Sequence, residues 1–245
     1  MEILLFFIAH WYLSLFSQTF FLHRYAAHKM FTMSPFWEKF YYVFTFITQG
    51  SSYLSPYAYG ILHRMHHAYA DEEKDPHSPK YSKNILEMFV KTWNIYHAIQ
   101  YDKMEVEPRF QKEIPNWKSF DNIAGHWLPR LLWASGYIGF YLVFATQWWM
   151  YLLLPIHFFM GPLHGVIINW FAHKIGYTNF KVNDTSVNLM PLDVFMMGEG
   201  YHNNHHMYPA RANFGSKWYE LDPAYPFIWV MQKCKIITLA VDAGH

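Results

Sequence analysis

Nine of the sixteen histidines in this 245-residue chain fall into four short clusters. Two clusters have the spacing H-x-x-H-H, one has H-x-x-x-x-H, and one ends in N-x-x-x-H. The polar residues of the clusters are, in chain order, His23 and His28; His63, His66 and His67; Asn169 and His173; and His202, His205 and His206. Imidazole nitrogens are common ligands of transition metals, so the clusters predict a metal centre.

The H-x-x-H-H spacing places three imidazole rings on one face of an α-helix. At about 100° per residue, positions i, i+3 and i+4 lie within about 60° of one another. Asn169 and His173 are four residues apart and share a face in the same way. His23 and His28 are five apart, which is about 140° around a regular helix. They reach one metal cluster only if it lies between them or if the helix end is distorted.

The number and type of these side chains indicate which metals they bind. Eight or nine imidazoles exceed what one metal ion accepts, so two metal ions are predicted. Zinc sites for hydrolysis use three protein ligands as a rule, and a two-metal hydrolase would normally add carboxylates, which do not interrupt these clusters. Iron is the preferred identity because iron can activate O₂.

Ligating histidines need an acceptor for their second ring nitrogen, and nearby acids are candidates for that role. The acids close in sequence to the clusters are Asp71, Asp75, Asp193 and Glu199. The isolated histidines are interpreted as ordinary polar residues of a core or an interface, and they include His10, His97, His126, His157 and His164.

Two apolar blocks must position the clusters. Residues 3–22 contain no acidic or basic residue except His10 and are long enough, at about 30 Å, to cross a bilayer as a helix. A cleaved signal peptide is disfavoured, because Arg24 and Lys29 follow the apolar run and a small-residue cleavage site is lacking. Those basic residues place the end of this helix in the cytoplasm and Met1 outside.

The second block, residues 128–172, is predicted to form a transmembrane hairpin with its tip near Thr146 and Gln147. Both ends of this hairpin then lie on the cytoplasmic side, where the first helix ends. Residues 36–62 are predicted to be interfacial or re-entrant, and residues 102–119 to be an exposed connector. Residues 84–99 are predicted to form a helix that either lies at the membrane surface or packs against the cytosolic domain.

The composition limits the class of protein. Hydrophobic residues make up 53% of the chain and charged residues 15%, whereas soluble domains have about 25% charged residues. The net charge of +1 excludes a nucleic-acid partner, because there is no basic excess to neutralise phosphates. The single cysteine, Cys234, excludes an internal disulfide and an iron–sulfur cluster.

These motifs resemble those of the integral-membrane fatty acyl desaturases, in particular the stearoyl-CoA (delta-9) desaturase type. That family has H-x-x-x-x-H, two H-x-x-H-H boxes and N-x-x-x-H, matched here by the clusters described above. It also has the element Asp75-Pro76-His77 after the second box. The resemblance covers residues from about Phe7 to Gly215 and implies that the nine clustered histidines bind two irons, one of them also held by Asn169 through a water.

The resemblance also implies a fold and a function. The fold is an all-α, multi-pass membrane protein of about three transmembrane helices, with a cytosolic helical cap that holds a histidine-ligated di-iron centre. We expect one desaturase domain over residues 1–245, with residues 3–22 and 128–172 in the membrane. Residues 23–127 are expected to be cytosolic or interfacial, and residues 173–245 to be cytosolic. The implied reaction is O₂-dependent insertion of a cis double bond, at delta-9, into the acyl chain of an acyl-CoA or an acyl-lipid.

Electrons must come from a separate ferredoxin, b-type cytochrome or flavoprotein, because the chain has no haem-attachment motif, flavin fingerprint or G-x-G-x-x-G. Animal members have four transmembrane helices, whereas about 22 residues precede His23 here. The chain therefore resembles compact bacterial members, and we expect it in the bacterial inner membrane rather than the endoplasmic reticulum, with the catalytic side cytoplasmic.

Two other functions remain open at this point. Ligand spacing cannot separate a desaturase from a di-iron hydroxylase of alkanes, sterols or carotenoids, since both begin with the same oxidant. A non-catalytic metal-binding protein or a metal transporter is the other alternative. A transporter needs ionisable residues within its spans, whereas most of the clustered histidines here lie at span ends or outside them.

Overall fold

Helices dominate the structure, a computed structural model described here over residues 1–240. The α-helices are α1 (Glu2–Ser17), α2 (Pro35–Gln49), α3 (Pro56–Tyr69), α4 (Ile85–Gln100), α5 (Pro108–Gln111), α6 (Lys118–Ala124), α7 (Trp127–Phe144), α8 (Leu154–Phe158), α9 (Met160–Val166), α10 (His202–Met207) and α11 (Tyr225–Lys233). Strands β1 (Phe31–Met33) and β2 (Ile237–Leu239) pair antiparallel, with Phe31 opposite Leu239. The prediction of an all-α architecture is confirmed.

Five further segments are wound differently from an α-helix. Two are π-helical, Gln18–Ala27 and Ile167–Phe171, and each directly continues an α-helix toward one of the histidine clusters. Three short turns are 3₁₀-helical: Gly50–Ser52, Pro79–Tyr81 and Trp148–Leu153.

The first apolar block forms one long helix. Helix α1 and the π-helix after it run together over Glu2–Ala27, 26 residues, and this helix is long and apolar enough to cross a membrane. Within residues 1–240 it is the only unbroken helix that meets this criterion of length and composition. Side chains such as Leu5 and Ile8 are exposed on its outer face, an arrangement compatible with association with a bilayer.

The second apolar block folds as a hairpin whose second arm is bent. Helix α7 forms the first arm, and residues 145–147 connect it to the second at the place where the sequence predicts the tip. The second arm breaks between Trp148–Phe158 and Met160–Phe171, which meet at 77°. Counting this bent pair as one span gives two candidate spans. The prediction of three transmembrane helices therefore stays a prediction.

Residues 36–62 form α2 and the start of α3, separated by a tight turn. Gly50 occupies this turn with φ +53°, and a Cβ atom there would come within 1.7 Å of the Tyr137 hydroxyl oxygen. A side chain at position 50 would therefore collide with α7. Helix α3 begins at Pro56, after Ser55 as its N-cap, in agreement with the preference for proline in a first helical turn.

The largest apolar core surrounds the π-helix Gln18–Ala27. Phe20 and Phe21 of that helix are fully buried against Tyr42 of α2 and Ile61 of α3. This packing fixes the first histidine cluster against the helix that carries the second. Helix α4 packs against α3 from the other side, and it confirms the helix predicted over residues 84–99.

Candidate metal centre

The structure brings the nine clustered histidines together in two neighbouring groups. The ring nitrogens of each group lie within 4.8 Å of one another. One group has five members, His23, His28, His63, His67 and His205, and the other has four, His66, His173, His202 and His206. The ring centroids of His67 and His206, one from each group, are 4.4 Å apart. The two groups are therefore adjacent.

The Nε2 atoms of these rings converge. His23 Nε2 lies 3.0 Å from His205 Nε2, and His28 Nε2 lies 2.8 Å from His63 Nε2. In the second group, His173 Nε2 lies 3.1 Å from His202 Nε2. Two neighbouring ligands of a metal ion, with bonds of about 2.1 Å at a right angle, are separated by about 3.0 Å. The spacing thus fits nitrogens that share a metal ion.

Histidine binds a metal ion in its neutral form, and burial favours that form for several of these rings. Burial lowers the pKa of His63 and of His205 well below the ordinary value, and the neighbouring histidines lower it further. Neutral imidazole presents a lone pair on one nitrogen. Among residues 1–240, Nε2 of His66 and Nε2 of His206 are buried with no hydrogen-bond partner, as expected of atoms that face a metal ion. The donor set therefore fits two transition-metal ions.

The π-helix explains how His23 and His28 reach the same group. The backbone N–H of His28 donates to the carbonyl oxygen of His23, five residues earlier, at 3.1 Å. This i→i+5 winding places residues five apart on one face, whereas a regular α-helix separates them. The distortion anticipated at this helix end is present. The second π-helix, Ile167–Phe171, carries Asn169 and is followed by His173.

Helix α10 has six residues, and the two asparagines between its histidines hold it in place. Asn203 Oδ1 accepts from the backbone N–H groups of Asn179 and Phe180, both at 2.9 Å. Asn204 Nδ2 donates to the Phe214 carbonyl oxygen at 2.9 Å and to Glu220 Oε2 at 2.8 Å. The loops on both sides of α10 thereby fix its orientation. A helix of six residues is too short to be stable without such contacts.

Two of the four candidate acids contact a clustered histidine directly. Glu199 Oε2 lies 2.7 Å from His23 Nδ1, and both carboxylate oxygens of Asp75 lie 3.0 Å from His66 Nδ1. Burial raises the pKa of the Asp75 carboxyl, but the His66 and His77 rings outweigh it and hold the pKa below its ordinary value. Both acids orient their histidine so that Nε2 points inward.

The other two acids are placed differently. Asp71 accepts from the backbone N–H of Thr185 at 2.6 Å, and one of its oxygens lies 4.0 Å from His173 Nδ1. Asp193 accepts from the backbone N–H groups of Met196 and Gly200, at 3.0 and 2.6 Å. Asp193 therefore shapes the loop that leads to α10, and its hydrogen bonds go to backbone rather than to a clustered histidine.

Three residues at this centre were not predicted to act there. Asp184 Oδ2 lies 2.8 Å from His206 Nδ1, and Thr185 Oγ1 lies 3.2 Å from His173 Nδ1. The His77 ring packs against that of His66, with 4.2 Å between centroids. Asp184 is 22 residues from its histidine, so proximity in sequence could not identify it. The sequence analysis noted His77 as part of the shared element Asp75-Pro76-His77, but it predicted no contact for the His77 ring.

Asn169 lies at a cavity of about 40 Å³ that His23, His63 and His202 also line. The cavity touches members of both histidine groups, so Asn169 faces the space between them. An amide oxygen can accept a hydrogen bond from a metal-bound water. The position of Asn169 fits the water-mediated role that the family resemblance implies.

An apolar passage leads away from this centre. A cavity of about 70 Å³ shares Gln18, Tyr59 and Asn169 with the cavity at the metal centre. It shares Trp93 and Pro162 with a larger cavity of about 370 Å³. The three cavities form a series lined mainly by aromatic and aliphatic side chains from α3, α4, α7 and α9.

Comparison with known proteins agrees with this centre. The family model described as "Fatty acid desaturase" matches residues 2–235. The chain is 31% identical over 238 residues to "Delta-9 desaturase-like 5 protein" of Arabidopsis thaliana, covering 92% of this chain and 71% of that protein. It is 30% identical over 234 residues to "Delta-9 acyl-lipid desaturase 2" of the same plant, covering 90% and 67%.

A relative from Anabaena variabilis is also similar. The chain is 27% identical over 214 residues to "sn-1 stearoyl-lipid 9-desaturase" of Anabaena variabilis, covering 86% of this chain and 73% of that protein. The matched region includes all four histidine clusters and the loops that hold them. The chain belongs to the fatty acid desaturase family and is an oxidoreductase of that type.

Proposed function

We propose that the chain is an O₂-dependent, di-iron acyl desaturase that inserts a cis double bond at the delta-9 position of a lipid-bound acyl chain. The observation that supports this most is the paired arrangement of five and four histidines with inward Nε2 atoms. A nitrogen-rich set without a carboxylate among its members suits iron used for O₂ activation better than a hydrolytic two-metal site.

The chain's residues have distinct roles in this proposal. One iron is held by the five-histidine group, and the other by the four-histidine group together with a water that Asn169 orients. The acids Glu199, Asp75 and Asp184 hold the Nδ1–H of three of these histidines. When bound, the two irons supply the oxidising power needed to remove hydrogen from an unactivated methylene.

The apolar passage is the proposed site of the acyl chain. It brings a saturated chain past Tyr59 and Leu62, which line both the passage and the cavity at the metal centre. The aromatic segments of residues 41–60 and 158–171 contribute to its walls. Apolar walls are expected for an acyl chain, which has no polar groups to bind. These walls exclude water from the methylenes that react and fix which carbons lie beside the metals.

The names of the relatives favour a lipid as the acyl carrier. Two of them are described as acting on acyl-lipids or a stearoyl-lipid, and a lipid-bound chain can enter from a bilayer without leaving it. A separate redox protein must supply electrons. We further propose that the histidine groups lie on the cytoplasmic side of a bacterial inner membrane, where the first helix ends.

The test is expression in a host that lacks its own delta-9 desaturase. Lipid analysis should reveal a new cis delta-9 monoene, and purified protein should hold two iron ions with the Mössbauer signature of a coupled pair. Incubation with stearoyl-CoA or with stearoyl-phospholipid, each with a reducing system, separates the two carriers. One zinc per chain and no exchange-coupled iron would overturn the di-iron proposal, and a hydroxylated product would identify an oxygenase.

A further inference from the structure

The cavity beside the metal centre has polar lining residues that the proposed ligands do not explain. Its lining includes the clustered His23, His63 and His202. It also includes side chains from the two apolar blocks, namely Leu15, Gln18, His164, Gly165 and Ile168. A histidine and a glutamine of the apolar blocks thus line the same cavity as three clustered histidines.

His164 and Gln18 are buried, and three of their polar atoms have no hydrogen-bond partner in the described part of the chain. His164 is 1% exposed and Gln18 is 5% exposed. Within residues 1–240, three buried atoms here have no hydrogen-bond partner: both ring nitrogens of His164 and the Oε1 atom of Gln18. The His164 ring packs edge-on against Trp11 at 4.5 Å, and Trp11 donates its own N–H to the Phe195 carbonyl oxygen. The neighbouring helices therefore use the His164 ring only as a flat apolar surface.

Buried polar groups in native proteins are nearly always hydrogen-bonded, to protein or to ordered water. A cavity of 40 Å³ has room for about three water molecules. We propose that His164 and Gln18 hold ordered water beside the metal centre, and that His164 relays protons from this water to the reaction site. This inference rests on the proposed desaturase function.

The reaction needs such a supply. In converting CH₂–CH₂ to CH=CH with one O₂, the substrate loses two hydrogen atoms, the donor protein supplies two electrons, and two protons enter, so that two water molecules leave. The two protons come neither from the acyl chain nor from the donor's electrons. In this proposal they come from the water that His164 and Gln18 hold in the cavity that both residues line.

A neutral imidazole suits this task because it has one N–H and one lone pair. His164 accepts a proton on one nitrogen while it releases the proton of the other, so no lasting charge is needed among the helices. The clustered histidines are not free to do this, since their Nε2 atoms converge and several of their Nδ1 atoms are held by acids. Gln18 holds the water in line but does not exchange protons.

The test compares His164→Phe, which keeps the flat contact with Trp11 but removes both nitrogens, with His164→Gln, which keeps a donor and an acceptor. His126→Asn is the control, because His126 is exposed and asparagine preserves its capping of α7. Iron content should be unchanged in all three. Turnover of His164→Phe should fall about a hundredfold, and His164→Gln should recover part of it.

Isotope effects separate proton delivery from packing. In His164→Phe the effect of D₂O on the rate should rise and the effect of deuterated acyl chain should fall, because proton delivery becomes the slow step. A slower variant in which neither isotope effect moves would overturn the proposal, as would wild-type turnover. If His164→Phe does not accumulate, Gln18→Leu carries the same expectation with a smaller loss of rate.

A structural measurement tests the water site without turnover. A structure at a resolution that reveals ordered water should place water within hydrogen-bond distance of His164 and Gln18, and a dry cavity would overturn the proposal. Wild-type protein with neither iron nor unsaturated product would instead contradict the proposed desaturase function.

Discussion

Asp184 and His206 meet across a 22-residue separation, with the carboxylate oxygen 2.8 Å from Nδ1 of the ring. Glu199 and Asp75 make the same contact with His23 and His66. The first, second and fourth histidine clusters are thus each oriented by an acid that lies outside the cluster's own repeat. The proposed metal centre consequently depends on loops as much as on helices.

We expect Asp184→Asn to lower iron affinity or turnover about 10- to 100-fold, the usual effect of losing such a partner. The amide can still accept a hydrogen bond, so the variant isolates the loss of charge. Glu199→Gln should have an effect of similar size. Glu73→Gln is the control, since Glu73 is exposed near the second box. Iron analysis and turnover in the three variants decide, and undiminished values in Asp184→Asn would contradict the assignment.

Replacing His63 or His205 by alanine should abolish the unsaturated product and remove iron from the five-histidine group. His202→Ala should do the same for the four-histidine group. We expect each variant to hold about one iron or fewer, measured by metal analysis of folded protein. His126→Asn should keep both irons, and wild-type turnover in two of the alanine variants would refute the ligand assignment.

Asn169→Ala should lower turnover more than it lowers iron content. Asn169 faces the cavity that His63 and His202 line, and it would hold the metal through a water rather than directly. Iron content and desaturation rate should be measured side by side for Asn169→Ala and Asn169→Ser. Full turnover with full iron in both variants would assign Asn169 a purely structural role.

The topology prediction places the N-terminus outside and the C-terminus inside, with three spans. Cys234 is the one cysteine in the chain and is exposed, so an impermeant thiol reagent should label it only after the membrane is opened. Glu2→Cys in a Cys234→Ser background should be labelled in intact cells. Labelling of both positions from the same side would imply an even number of spans.

The stability of the protein should depend on the protonation of Asp121. This carboxyl accepts from Tyr53 at 2.6 Å and Ser55 at 2.8 Å, and burial raises its pKa from 3.8 to about 6. A raised pKa means that the protonated carboxyl stabilises the fold. That contribution is complete below the unfolded pKa and is lost as pH rises through about 6. The full change corresponds to at most about 3 kcal/mol.

We therefore expect wild type to lose thermal stability relative to Asp121→Asn between pH 4 and pH 7. The asparagine keeps a hydrogen-bond acceptor but does not titrate. Unfolding temperatures in detergent at several pH values, with Glu73→Gln as a non-participating control, measure this difference. A difference that stays constant across this pH range would show that Asp121 titrates normally.

Helical spacing made the histidine pattern recognisable in the sequence. His63, His66 and His67 share a face in any α-helix, so their convergence needed no tertiary information. Asp75 was found because a short loop returns it to His66, nine residues earlier. Glu199 was a candidate because it is close in sequence to His202, but it contacts His23, 176 residues away. Asp184 was missed because a long loop brings it back to His206, and Asp193 is bound to backbone for a reason that only the loop's shape reveals.

Some elements of the fold were also predictable from the sequence, and others were not. The first helix and the tip of the hairpin follow from apolar length. The break that bends the second arm by 77° does not follow from apolar length, although Pro155 and Gly161-Pro162 flank it in the sequence. The pairing of β1 with β2 joins residues about 200 positions apart, and three-residue strands are too short for a pattern to indicate.

The π-helix that carries His23 and ends at His28 amounts to an α-helix with one extra residue accommodated in its winding. Such a turn is less favourable than the α-helix it replaces, so it persists where something holds both His23 and His28 to a common point. Without metal that restraint is weaker, and an ordinary α-helical winding of the segment becomes more favourable. Metal loading and local secondary structure are then coupled.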